Sequence, residues 1–140
     1  MSIEEIFSFL IEHQRVESSK LKLDSDLCLD LGIDGDDFFE LMEVFSEKFS
    51  VDLSNYLWYF HHGEEGWNFG ALFFPPPNAQ VPHIPLTPQS LCEAANKHSW
   101  PVVYPDHKLR KRRLDIDFNK YFFIGIAFVG VLIAVYKNAT

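Results

Sequence analysis

From Phe118 to Tyr136 the chain runs through nineteen residues with one charge, Lys120, and from Tyr121 to Tyr136 it carries none. As a helix, sixteen to nineteen residues reach about 24–28 Å, just short of the hydrocarbon thickness of a bilayer. Length alone is borderline, and the flanks decide. Lys108, Arg110, Lys111, Arg112 and Arg113 precede the run, Lys120 sits at its start, and only Lys137 follows. Tyr121 and Tyr136 stand at the two ends, where amphipathic rings favour the membrane–water interface. Gly125, Gly130 and many β-branched residues argue against the alternative of a buried helix in a soluble domain. The expectation is one transmembrane helix over 118–136, with the basic cluster on the cytoplasmic side and only 137–140 across the membrane, a tail-anchored topology. Gly130 and Ala134, four apart, form a small-residue pair that would allow close helix approach.

The 140 residues suffice for one small domain plus extras. Residues 1–57 hold 14 acids against 4 bases, and residues 58–140 hold 6 acids against 8 bases. Such an acidic first half excludes nucleic acid, whose phosphates demand Lys and Arg, and favours the basic surface of a protein as partner. Cys28 and Cys92 have no second Cys or His at ligand spacing, which suits two reduced thiols, with a disulfide left open. The amino terminus has no basic region followed by an apolar run, so no secretory signal is expected.

Ser2-Ile3-Glu4-Glu5 fits a capping box, and Ile3, Ile6, Phe7, Leu10 and Ile11 recur at helical spacing, which predicts a helix from about residue 3 to 16. In residues 17–33, Leu21, Leu23, Leu27, Leu29 and Leu31 alternate, as in a strand or in a long loop that lays leucines across a helical core. Asp34 suits a cap, Asp36 and Asp37 suit a first turn, and Phe38, Leu41, Met42, Phe45 and Phe49 make one apolar face, so a second helix should end near Phe49 or Ser50. Thr87-Pro88 opens a third, through Leu91, Cys92, Ala94 and Ala95 to about Lys97 or His98.

Between them, residues 55–86 interleave Tyr56, Trp58, Tyr59, Phe60, Trp67, Phe69, Phe73 and Phe74 with Gly63, Gly66, Gly70 and Pro75-Pro76-Pro77. That mixture suits short extended pieces and turns. It reads as an irregular cover over the core, with an exposed aromatic patch as the alternative. His61-His62 lacks the i, i+4 spacing of a helical metal site and is expected on a surface turn. A calcium loop starting at Asp30 fails, because Gly32 occupies its third position and Leu41 its twelfth. Weak divalent-ion binding at the acidic helix stays open. No phosphate-cradling loop, nucleophile elbow or Cys–His pair nominates catalytic chemistry.

Leu31-Gly32-Ile33-Asp34, one further residue, and then a helix carrying Asp37, Glu40 and Leu41 resemble the second-helix start of acyl carrier proteins, which reads Leu-Gly-x-Asp-Ser-Leu-Asp. Pro85 to Ala95 is similar to the last helix of that family. The resemblance spans roughly residues 1–54 and 84–99. In the family the serine carries a 4′-phosphopantetheine arm; here Gly35 occupies its position and Asp36 replaces the following leucine. Glycine has no hydroxyl, so no cofactor is expected. Ser25 and Ser46 lie in the wrong context to substitute. More narrowly, the arrangement is similar to short enterobacterial proteins of unknown function with an acyl-carrier-like fold.

The resemblance implies a mainly α fold: an acyl-carrier-like cytosolic domain over 1–106 with an aromatic insertion at 55–86. A basic juxtamembrane linker (107–117), the transmembrane helix and a short tail complete the expected plan, in a single-pass protein of the bacterial inner membrane. It also implies that Asp36, Asp37, Glu40, Glu43 and Glu47 inherit a docking surface, since carrier proteins present that helix to basic patches of partner enzymes. The expected function is a non-enzymatic membrane-tethered adaptor or regulator. The alternatives are a membrane-active effector or immunity-type protein, and a true carrier modified at another site.

Overall fold

The computed structural model describes residues 1–139, is mainly helical, and divides into two units. Thr140, the last residue of the expected tail 137–140, lies outside the described residues. The first unit comprises Met1–Glu65 and Val81–His107, the second Gly66–Gln80 and Lys108 onward.

In the first unit, α1 (Ile3–Gln14), α2 (Gly35–Phe49) and α3 (Pro88–Lys97) enclose the core. Each begins and ends for a local reason. At α1 the Glu5 amide donates to Ser2 Oγ (3.3 Å) while the Ser2 amide donates to Glu5 Oε2 (2.7 Å), an arrangement that typically contributes about 1 kcal/mol. At α3 the Ser90 amide donates to Thr87 Oγ1 (3.2 Å), and Pro88 occupies a position whose amide would have no helical partner. Arg15, Ser50 and His98 end the three helices in the left-handed region, at φ 52–53°. Helix α1 stops at Gln14, two residues before the expected end.

Phe9 is the junction of the core, with ring centroids 5.9 Å from Phe45 and 5.3 Å from Phe49. Ile6, Leu10, Leu41, Leu91 and Ala94 belong to the same core, each at most 1% exposed. Burying such side chains contributes roughly 1.5–3 kcal/mol apiece for the larger ones. The alternating leucines form a loop with a 3-10 turn at Ser18–Lys20, not a strand. Leu21 and Leu27 enter the core with Ile33, whereas Leu23 and Leu29 face solvent at 50% and 72% exposure. Asp26 shapes this loop. Its Oδ1 accepts from the amides of Cys28 (2.9 Å) and Leu29 (3.3 Å), and its Oδ2 meets His83 Nε2 at 2.5 Å. The Leu27 amide donates to the Leu86 carbonyl, which ties the loop to the entry of α3.

After α2, Asp52 and Ser99 form an isolated parallel bridge, and a 3-10 turn at Trp58–Phe60 leads into the aromatic stretch. Here the expectation of a surface turn at His61-His62 is overturned: the two residues are 0% and 3% exposed. His61 Nδ1–H donates to the Ile84 carbonyl (2.8 Å), and the Tyr104 hydroxyl donates to His61 Nε2 (2.8 Å). This tautomer follows because Tyr104 Oη already accepts from the Leu57 amide (3.1 Å) and Trp100 Nε1 (2.8 Å). The Ile84 amide donates back to the Phe60 carbonyl at 2.7 Å, so the chain leaves and re-enters the first unit at one place.

In the second unit, 3-10 turns at Phe69–Leu72 and Pro77–Ala79 accompany α4 (Leu114–Ala139), which begins four residues before the expected 118. Its 26 residues have a mean hydropathy of 2.0 in the most apolar window, none of it buried, which makes α4 long and apolar enough to cross a membrane.

Burial holds the His61 imidazole neutral, with its pKa lowered from 6.5 to about 4 against the opposing pull of the Ile84 carbonyl. In the unfolded chain the ring protonates near pH 6.5, so its contribution is complete above that pH and is lost as the pH falls toward about 4. Chemical unfolding of the full chain should lose about 2 kcal/mol through this group between pH 6.5 and 5. His61→Gln, which has no titration in that window, should flatten the slope; equal slopes in both proteins would refute the assignment.

Candidate functional site

The residues that resemble a carrier attachment motif meet at the amino end of α2. Asp34 precedes the helix in an extended conformation (φ −145°, ψ 170°), as a cap should, but its carboxylate does not bond to the helix it opens. Asp34 Oδ1 instead accepts the Gly63 amide at 2.7 Å. Gly63 is placed by its neighbour: His62 stacks on Phe38 with centroids 4.3 Å apart, and His62 Nδ1 donates to the Gly63 carbonyl at 2.7 Å. The segment from Gly63 to Glu65 is thereby laid over the start of α2.

Gly35 lies directly beneath it at φ +55°. A Cβ built there would come within 2.5 Å of Glu65 Cβ and 3.0 Å of the Glu65 nitrogen. Two constraints therefore act against a serine: the absence of room, and the left-handed backbone, which costs an L-residue roughly 1–2 kcal/mol although Ser50 adopts it elsewhere in the chain. The cleft alongside, about 310 Å³ and open to solvent, is lined by Gly32, Asp34, Gly35, Asp37 and Glu65. Three carboxylates at that opening disfavour a phosphodiester that a bare helix amino end would welcome. The residues present do not fit the prosthetic group.

The two serines weighed as substitutes are hydrogen-bonded to backbone carbonyls. Ser46 Oγ donates to the Val51 carbonyl (2.7 Å), and Ser25 Oγ donates to the Lys20 carbonyl (3.0 Å). Cys28 and Cys92 are free thiols, and burial, with Asp34 and Asp26 adding to it, pushes Cys28 up to about 11. A thiol so raised is a poor nucleophile at neutral pH. Among the described residues, no three His, Cys, Asp or Glu side chains gather as a metal site.

On the outer side of α2, Asp36, Glu40, Glu43 and Glu47 follow one another at i+4, i+3 and i+4, with Asp37 beside them. All five are exposed, and none forms a salt bridge among the described residues. An aromatic pair that the sequence pattern conceals lies at the same end. Phe39, 40% exposed, packs 5.6 Å from Trp58 and edge-on to His62 at 4.6 Å. The doubled Phe38-Phe39 is its only signal in sequence, since one of two adjacent helical residues must leave the core.

The basic flank of α4 is less uniformly free than its sequence suggests. Lys108, Arg110, Lys111 and Lys120 are exposed, but Arg112 Nε donates to Asp117 Oδ2 (2.7 Å). Arg113 reaches both oxygens of Asp115, at 3.0 and 2.8 Å.

Residues 4–104 match the family described as Protein of unknown function (DUF1493). The chain belongs to that family. The DUF1493 match begins inside α1 and ends at Tyr104, the residue whose hydroxyl receives Leu57 and Trp100, so it takes in the core, the Gly35 site and the aromatic stretch. Over 50 residues the chain is also 42% identical to the acyl carrier protein of Trieres chinensis, covering 36% of this chain and 62% of that protein. The chain thus spans under two thirds of the length of that relative. No solved structure matches it.

Gly35→Ser should destabilise the first unit by roughly 2–4 kcal/mol, combining the left-handed backbone with overpacking against Glu65. Coexpressed with a phosphopantetheinyl transferase, the variant should keep its unmodified intact mass. A gain of the pantetheine mass would show that the site accepts the arm.

Proposed function

We propose that this protein is a non-enzymatic, membrane-tethered adaptor or regulator of acyl-carrier-like descent, engaging the basic surface of a partner protein through Asp36, Asp37, Glu40, Glu43 and Glu47. The observation that carries this reading is the contrast at α2. Its amino end leaves no room for the attachment side chain at residue 35, while the acidic residues one to twelve positions further on are exposed and form no salt bridge among the described residues. A solvated acidic face alone is common; this one adjoins the half-exposed Phe39–Trp58 pair, and charged rims around aromatic anchors suit protein interfaces. The 42% identity to an acyl carrier protein adds support for a docking helix retained from that family.

In this reading α4 inserts into the bacterial inner membrane and the chain up to Arg113 stays in the cytoplasm. The support is the apolar length of α4 and the excess of Lys and Arg on its amino-terminal side. Tethering would hold the acidic face close to a membrane-bound partner and raise its effective concentration.

Reversing Glu40, Glu43 and Glu47 to Lys in the full-length membrane form should lower crosslinking to the captured partner about tenfold, with the unfolding midpoint preserved, because these side chains make no internal ion pairs. Undiminished crosslinking would remove this surface from consideration. Exchanging residues 118–136 for an unrelated membrane helix should leave capture and cellular function intact. Loss of function with capture retained would favour a membrane-active effector instead.

A further inference from the structure

Residues 66–80 of the second unit expose Trp67, Leu72 and Phe73 at 82%, 78% and 66%. Three large apolar side chains in one short segment form a surface that water does not favour. The same segment lies along the first apolar turns of α4, so Phe73 is both partly packed and largely exposed. Phe69 is 5.5 Å from Phe122 and 6.1 Å from Phe123, and Phe73 is 5.2 Å from Phe118.

Several polar groups of this segment are paired within the unit. The Gly70 amide donates to Asn119 Oδ1 (2.9 Å), and the Ala71 amide donates to Asn68 Oδ1 (3.0 Å). Asn119 Nδ2 donates to the Trp67 carbonyl (3.1 Å), and Asn68 Nδ2 donates to Asp115 Oδ2 (2.9 Å). Gly70 permits this approach: a Cβ there would collide with the Asp115 carbonyl oxygen. Irregular backbone can sit at the edge of hydrocarbon only when its amides and carbonyls are paired in this way.

Position along α4 supplies the occupant. With 121–136 in the hydrocarbon, residues 118–123 lie at the water–lipid boundary, and whatever is packed on them must enter it too. Exposed Lys108, Arg110, Lys111 and Lys120 stand at the same end of the unit, where anionic headgroups are attracted. We infer that residues 66–80 form an interfacial lip seated at the headgroup–acyl boundary of an anionic bilayer, with Trp67, Leu72 and Phe73 inserted. This rests on the reading of α4 as a membrane span and goes beyond it: the chain holds the bilayer by a second, non-helical contact.

The test uses full-length protein in phosphatidylcholine–phosphatidylglycerol vesicles whose acyl chains are brominated near the headgroup. Trp67 is one of three tryptophans, so bromination should remove roughly one third of the emission, and Trp67→Phe should abolish that quenching. Equal quenching in both proteins, or quenching of Trp67 by aqueous iodide as complete as in detergent, overturns the lip. Alkaline carbonate extraction separates the two readings. Protein that resists extraction with Trp67 unquenched keeps the span and loses the lip; protein that is extracted loses both.

Discussion

The Tyr104 hydroxyl accepts from the Leu57 amide and the Trp100 indole and donates to His61, whose other nitrogen reaches the Ile84 carbonyl. Three stretches far apart in sequence, 57–61, Ile84 and 100–104, are thereby tied at one oxygen and one imidazole. Three short helices bury a modest core, and the aromatic stretch must close it without a regular ladder to use its backbone groups. A buried network with every member satisfied does this and specifies one arrangement. Removing one member would leave the others desolvated and unpaired.

The geometry at Gly35 follows from that closure. With Phe60 and His61 fixed, His62 is drawn onto Phe38, Gly63 is brought to Asp34, and Glu65 arrives over the first residue of α2. The glycine at residue 35 is therefore one element of a covered surface. The carboxylate that would cap a helix in another setting now holds the covering segment. Asp37 lines the cleft beside Glu65, whereas Glu40, Glu43 and Glu47 lie further along α2, outside that lining.

The helices were legible because their signals are local: capping boxes at Ser2 and Thr87, apolar spacing, and turn residues at their ends. The loop before α2 was not, because alternate leucines suit a strand or an irregular cover equally. The turn built on Asp26, with no strand among the described residues to pair with, decides between them. His61 and His62 were misplaced for a related reason. Histidine next to Glu and Gly reads as surface, and the partners that permit its burial, Ile84 and Tyr104, lie 23 and 43 residues away. The acidic face was visible through its helical period, whereas Phe39 was hidden beside the core residue Phe38. At the site itself, sequence shows that a hydroxyl is missing at residue 35; the positive φ and the presence of Glu65 are properties of the folded chain alone.

The contact between Gly35 and Glu65 also couples two positions of the chain. While the covering segment lies over residue 35, a side chain added there meets both a steric and a backbone penalty. A single codon change at residue 35 therefore carries a cost that a change made together with the cover would not. Room for a side chain would need residues 63–65 to move first, and that move exposes the Phe38–His62 stack. The two positions are epistatic: what is tolerated at residue 35 is set by where Glu65 lies.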